Sequence, residues 1–109
     1  MTKVVVQVAE AERAEAALAS CKNLINAMPD AEVEVVLHQS AVSAAVKGSG
    51  VEDAIRELIS RGVKIAACGT ALGKLGIDKS KLIEGVAVVD VGVAEIVKRQ
   101  KEGWLYLRL

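Results

Sequence analysis

The residue best suited to chemistry in this sequence is Cys68, which ends the apolar run IAAC and is followed directly by Gly69. A cysteine between a strand and a short helix lies near free N–H groups and the positive end of the helix dipole, and both favour the nucleophilic thiolate. Gly69 lets another molecule approach closely. The alternative is that Cys68 only ends the strand and packs into the core, as cysteines often do. The residues around Cys68 leave both interpretations open.

The single histidine, His38, ends another predicted strand. In a parallel α/β sheet the loops that follow the strands gather at one edge, and helix amino termini point at that edge. We therefore expect His38 near Cys68, where it could serve as a base or counter-ion, although it could also be a hydrogen-bonded loop residue. The candidate site consists of Cys68 and His38 as catalytic residues, with Gly69, Thr70 and Gly92 in the surrounding loops.

The second cysteine, Cys21, is predicted to belong to the core. It lies on the apolar stripe of a predicted helix, with Leu18, Leu24, Ile25 and Met28. The helix carries it about 15 Å away from the edge where Cys68 is expected, which is more than a disulfide spans. A switch between two thiols of one chain is therefore not expected.

Signals for a metal or a cofactor are missing from the sequence. There is no CxxC pair and only one histidine, so we expect no metal site. The stretch Gly48-Ser49-Gly50 precedes a helix, but it lacks the lysine of a P-loop and the spacing of a dinucleotide fingerprint. We interpret this stretch as a mobile loop and expect no cofactor.

Strand and helix signals alternate along the chain. Strands are predicted at residues 4–9, 33–37, 63–67, 86–91 and 104–108, and helical segments at 11–28, 40–47, 51–59, 70–75, 79–84 and 93–102. Because the strands are nearly continuous apolar runs, the pattern predicts an α/β fold with a mostly parallel sheet covered on both faces. The length of 109 residues predicts a single domain, residues 1–109.

Charge and hydropathy limit the classes of partner. Lysine plus arginine and aspartate plus glutamate number 14 each, so we expect neither direct nucleic-acid binding nor a membrane-binding patch. Without a secretory signal or a disulfide framework, the expected location is the cytoplasm, with reduced thiols. Charged residues near the end are interpreted as the solvated face of the last helix: Lys98, Arg99, Lys101 and Glu102.

Two sequence blocks resemble the DsrE/DsrF-like proteins, which include sulfur-relay subunits. They are VKIAACGTALGKLGID, preceded by a strand ending in VVLH, and VAVVDVGVAEIVKRQKEGWLYLRL. The resemblance implies a three-layer α/β/α sandwich with a five-stranded sheet, and assembly into homo-oligomers, trimers or hexamers. It also implies that Cys68 carries sulfur as a persulfide between donor and acceptor proteins. Such a carrier needs an accessible thiolate and no resolving cysteine beside it.

Three functions are compatible with the sequence. The first is a sulfur carrier or sulfurtransferase that uses Cys68, with help from His38. The second is a non-catalytic module whose pocket binds a small ligand and is merely lined by Cys68. The third is a subunit that acts through its interfaces, with the apolar WLYL near the end as an oligomer contact, although a core strand is the simpler interpretation of WLYL.

Overall fold

The computed structural model describes residues 1–109 and contains one sheet of five parallel strands. The strands are β1 (Lys3–Val8), β2 (Glu32–Leu37), β3 (Lys64–Cys68), β4 (Ala87–Val89) and β5 (Leu105–Arg108). Their order in the sheet is β4-β3-β2-β1-β5, so the last strand pairs with the first. The helices are α1 (Ala14–Ala27), α2 (Glu52–Ser60), α3 (Gly69–Leu75) and α4 (Gly92–Lys101). Short 3₁₀ helices are found at Ala11–Arg13, Gln39–Ala45 and Lys79–Lys81.

The larger core lies on the sheet face that carries Val4 and Val6, which we call the first face. Side chains alternate along a strand, so these valines share one side of β1. They belong to one apolar cluster with Leu18 of α1, Ile55 of α2 and Leu72 of α3. Three helices therefore cover the first face, each through its apolar stripe.

The opposite face of the sheet, which we call the second face, has a much smaller core. Its buried cluster consists of Val5, Val36 and Ala66 from the three central strands, with Ile96 of α4 and Trp104. Only α4 packs on this face. The predicted α/β/α sandwich with a five-stranded sheet is confirmed, and the sheet is entirely parallel.

The prediction that the WLYL segment forms a core strand is wrong for most of its residues. Trp104 is buried, but Leu105 is 62% exposed, and Tyr106 and Leu107 are 40% and 41% exposed. The reason is topological, because β5 is an edge strand and its other side pairs with no strand. The run forms a strand, as predicted, but its side chains stay at the surface.

The predicted helix at residues 79–84 shortens to the single 3₁₀ turn Lys79–Lys81, capped by Asp78, whose carboxylate accepts from the backbone N–H of Ser80. Backbone pairing with a distant segment ends the turn, since Ile83 donates its N–H to the carbonyl of Ala45. Elsewhere the predicted boundaries differ from the observed ones by a few residues at most.

None of the helices could cross a membrane, because none is both long enough and apolar enough. The longest, α1, has 14 residues.

Candidate functional site

The carboxyl edge of the sheet brings together the residues that the sequence singled out. Cys68 at the end of β3, His38 directly after β2 and Gly92 at the start of α4 line one pocket of about 210 Å³. Thr70 and Lys74 of α3 line it as well. The parallel strands place these residues together, because all their carboxyl ends point to the same edge.

The thiol of Cys68 accepts a hydrogen bond from the start of α4. The backbone N–H of Gly92 donates to Sγ at 3.2 Å. An N–H group at a helix amino terminus carries partial positive charge, so this contact stabilises negative charge on the sulfur. Cys68 is also the N-cap residue of α3. The thiol is therefore placed as the sequence suggested, although its hydrogen-bond donor comes from a different helix.

The expected accessibility of Cys68 is much reduced in the folded chain. Only 6% of the residue is exposed, because the beginning of α4 lies directly against it. The two interpretations of Cys68 thus overlap, since the residue packs inward and also lines a pocket. Another molecule can reach the sulfur only through that pocket or after α4 has moved.

Gly92 has no side chain because there is no room for one. A Cβ atom at this position would lie 3.0 Å from the Cβ of His38 and 3.1 Å from the Cβ of Cys68. It would also lie 3.4 Å from Cγ1 of Val36. Glycine is therefore what permits the first N–H of α4 to reach the sulfur.

His38 lies in the same pocket but is not hydrogen-bonded to Cys68. It is 3% exposed, and its Nε2 atom lies 3.0 Å from Nε2 of Gln7. The Tyr106 hydroxyl in turn donates to Oε1 of Gln7. Burial, assisted by the positive charge of Arg108, holds the pKa of His38 below its ordinary value. The imidazole is consequently neutral at neutral pH.

Hydrogen bonds join two loops beside the pocket. Thr70 donates to the carbonyl of Asp90 twice, from its backbone N–H at 3.1 Å and from its hydroxyl at 3.0 Å. A Cβ atom on Gly69 would lie 3.1 Å from the carbonyl oxygen of Val89. Gly69 and Thr70 therefore hold the segment after β3 against the loop after β4. Their role is to shape the site.

Cys21 is a core residue, as predicted. It is fully buried in α1, and burial raises the pKa of its thiol to about 11. Both cysteines are free thiols. At neutral pH Cys21 is protonated and enclosed, so it has neither the charge nor the access that a nucleophile needs.

Sequence reasoning missed a buried ionic cluster at the other end of α4. Glu34 of β2 is fully buried, and its Oε1 accepts from Nε of Arg99 at 2.7 Å. Glu95 lies 3.3 Å from the same guanidinium, and Lys64 lies 3.9 Å from Glu34 and 3.8 Å from Glu95. Arg99 also stacks over the Trp104 ring at 4.8 Å. Arg99 is thus an anchor of α4 and not part of a solvated face, which corrects the prediction for this residue.

Sequence reasoning also missed the roles of Gln7 and Tyr106. Gln7 is the one polar residue in the otherwise apolar run VVVQV, and such an interruption near the carboxyl end of a buried strand could have indicated a polar contact. No comparable signal marked Tyr106, because its neighbour Gln7 is 99 residues away along the chain.

No group of three or more histidine, cysteine, aspartate or glutamate side chains is arranged to hold a metal ion. A shallow groove runs along the outer side of α4, between Val93 and Glu102, and contains no cysteine or histidine. Cys68 remains the candidate nucleophile.

Solved structures share this architecture over its whole length. A protein of unknown function from Methanobacterium thermoautotrophicum, MTH1491, is 33% identical, with a TM-score of 0.95 and full coverage of both chains. The YchN protein of E. coli shares the fold at 20% identity, with a TM-score of 0.89 and full coverage of both chains. Another protein of unknown function, BT1422 from Bacteroides thetaiotaomicron, shares it at 18% identity and a TM-score of 0.78, over 98% of this chain and 94% of that one.

Among curated proteins, none matches the chain significantly. The family model of the DsrE/DsrF-like proteins matches residues 3–109, which is nearly the whole chain and includes both strand ends that form the Cys68 pocket. The chain therefore belongs to the DsrE/DsrF-like family.

Proposed function

We propose that this protein is a sulfur carrier in which Cys68 accepts a sulfur atom as a persulfide and passes it to a partner protein. The DsrE/DsrF-like family is generally linked to sulfur relay. The observation that carries the proposal is the 3.2 Å hydrogen bond from the Gly92 N–H to Sγ of Cys68, within a pocket large enough for a small group. A donor aimed at the sulfur stabilises the thiolate that sulfur transfer requires.

The transfer exchanges one sulfur–sulfur bond for another. The Cys68 thiolate attacks the outer sulfur of a donor persulfide, R–S–SH, and forms Cys68–S–SH. The bond within the donor breaks, and its inner sulfur leaves as the thiolate R–S⁻ with the electron pair. An acceptor thiolate then attacks the outer sulfur of Cys68–S–SH and restores the Cys68 thiolate. No net oxidant or reductant is consumed in either step.

A lone thiol suits this chemistry better than a pair of thiols. A neighbouring cysteine would attack the persulfide, release sulfide and leave a disulfide. Cys21, the one other thiol, is enclosed in the core of α1 and protonated at neutral pH. The burial of Cys68 itself would protect a bound persulfide from small thiols in a reducing cytoplasm, where we expect the protein to work.

The carrier is further proposed to be a homo-oligomer, a trimer or a hexamer. Apolar side chains that no helix covers support this proposal: Val93 and Val97 of α4 are 52% and 56% exposed, and Leu105 and Leu107 lie on the free edge strand β5. Unpaired edge strands and exposed apolar stripes are typical of surfaces that a second chain covers.

Intact mass spectrometry after incubation with polysulfide tests the carrier proposal. The wild type and Cys21→Ala are expected to gain one sulfur atom that a reductant removes, and Cys68→Ser is expected to gain none. Uptake that persists in Cys68→Ser, or no uptake in any variant, would contradict the proposal. Cys68 is only 6% exposed, which favours as the second candidate a module that binds a small ligand in the pocket beside an unreactive Cys68. That candidate predicts no uptake.

A further inference from the structure

A row of three polar side chains crosses the second face of the sheet and ends in the Cys68 pocket. The Tyr106 hydroxyl of β5 donates to Oε1 of Gln7 in β1, and Nε2 of Gln7 lies 3.0 Å from Nε2 of His38. Tyr106 pairs in register with Val5, and Val5 shares a face of β1 with Gln7, two residues further along. The side chains of Tyr106 and Gln7 therefore lie on the same face of the sheet. The row therefore connects an exposed edge strand with a buried imidazole.

The chemistry of an amide determines which atom of His38 carries the proton. A glutamine side chain has one oxygen, which accepts hydrogen bonds, and one NH₂ group, which only donates. Because the oxygen of Gln7 receives the Tyr106 hydroxyl, its NH₂ group faces His38. Nε2 of His38 must then accept, so the proton of the neutral ring is on Nδ1.

We propose that Gln7 is a positioning residue that holds His38 as a neutral imidazole protonated on Nδ1, with Tyr106 fixing the orientation of the Gln7 amide. The role of this arrangement in sulfur transfer rests on the proposed function. With Nε2 occupied by Gln7, the ring is neither a base at that atom nor a cationic partner of the thiolate. No other hydrogen bond engages the ring, so Nδ1–H is its one group free to donate to a molecule in the pocket.

The positive charge of Arg108 also favours a neutral ring. Arg108 of β5 lowers the pKa of His38, and Glu10 lies 3.6 Å from Arg108. Lys74 of α3 lines the same pocket, whereas Gly92 of α4 and Gln39 after β2 bring no charge. No carboxylate hydrogen-bonds to the ring. A neutral ring follows from burial, the positive charge of Arg108 and a hydrogen-bond donor at Nε2.

Nuclear magnetic resonance of the ring nitrogens tests this proposal directly, because the chain has a single histidine. In the wild type without any sulfur donor, we expect a neutral ring at pH 7 with its proton on Nδ1. In Gln7→Glu the carboxylate can only accept, so the proton should move to Nε2 and the pKa of His38 should rise by at least about one pH unit. Gln39→Glu is the matched control, since it adds the same charge beside the pocket without this hydrogen bond.

Tyr106→Phe provides a milder variant, because it removes only a hydroxyl from a partly exposed residue. It frees the Gln7 amide to rotate, so both neutral ring forms should appear. A wild-type proton on Nε2 would overturn the proposal, and so would equal pKa changes in Gln7→Glu and Gln39→Glu. The measurement needs no sulfur transfer, so failure of sulfur uptake with the expected ring form contradicts only the proposed function. Uptake with the wrong ring form contradicts only this inference.

Discussion

The backbone N–H of Gly92 points at the sulfur of Cys68 across 3.2 Å, and the two residues are 24 positions apart in the sequence. Gly92 begins the one helix on the second face, and Cys68 ends a central strand beneath it. The contact requires the first residue of α4 to lie directly against the ends of β2 and β3. A methyl group added at Gly92 tests this requirement.

Gly92→Ala should destabilise the protein. The new Cβ atom would meet the Cβ atoms of His38 and Cys68 at 3.0 and 3.1 Å, so the start of α4 must shift. We expect a loss of about 1–3 kcal/mol in the free energy of unfolding, as in other overpacked cores, measured by urea denaturation. Gly73→Ala is the control, because a Cβ atom there meets nothing within 4 Å in the middle of α3. It should stabilise the protein by about 0.4–1 kcal/mol. Equal effects would show that the Gly92 contact is not tight.

The two cysteines should differ in their reaction with an alkylating reagent such as iodoacetamide. Burial raises the pKa of Cys21 to about 11, so Cys21 should stay unmodified at pH 8 while the protein is folded. Cys68 lines a pocket and should react, although slowly for a residue that is 6% exposed. Mass spectrometry should find one modified cysteine per folded chain and two after denaturation. Comparable labelling of both cysteines in the folded protein would contradict the assignment.

Stability should depend on pH through Glu34. Burial, with a hydrogen bond to Glu95, raises the pKa of Glu34 to about 7, and the same hydrogen bond lowers the pKa of Glu95. Both Oε2 atoms are buried and have no hydrogen-bond partner, although Lys64 and Arg99 lie at ion-pair distance. We infer that the two carboxyls share one proton in the folded protein.

The folded protein keeps this proton at a pH where the unfolded chain has released it. The free energy of unfolding should therefore fall as the pH rises from about 5 through 7. Urea denaturation across this range should show a flatter profile for Glu34→Gln, since the amide cannot lose the proton. Glu32→Gln, on the same strand but exposed, serves as the control and should follow the wild type. A wild-type profile without this decline would exclude a shared proton.

Self-association should depend on Val97, which is 56% exposed on α4. If copies of the chain cover this surface, Val97→Glu would place a charge in an apolar contact and reduce the mass measured by light scattering at a given concentration. Met28→Glu changes a residue that is 41% exposed after α1, away from α4, and should leave the mass unchanged. A monomeric wild type, or a Val97→Glu variant of unchanged mass, would contradict an interface at this helix.

The elements and the neighbourhood of Cys68 and His38 could be predicted from the sequence, because alternating strands and helices require parallel strands whose ends share an edge. Contacts that depend on the order of the strands in the sheet could not be predicted. The exposure of Leu105 follows from the position of β5 at the edge, and nothing in an apolar run distinguishes an edge strand from a central one. The pattern EVEVVL suggests that Glu34 faces water, yet α4 covers it. The reason for a glycine at position 92 became visible only once α4 was placed on the sheet.

One helix of ten residues, with Trp104 after it, covers the second face, and the first residue of that helix contacts the sulfur. Its later turns are anchored by Arg99 to Glu34 and Trp104. Its beginning is held by the N–H contact at Gly92 and by the two hydrogen bonds from Thr70 to the carbonyl of Asp90 just before the helix. Opening of this helix end would break those contacts and expose the thiol, so hydrogen exchange of the Gly92 amide and solvent access to Cys68 should report the same event. We expect the reactivity of Cys68 to depend on how often that helix end opens as well as on the chemistry of the sulfur itself.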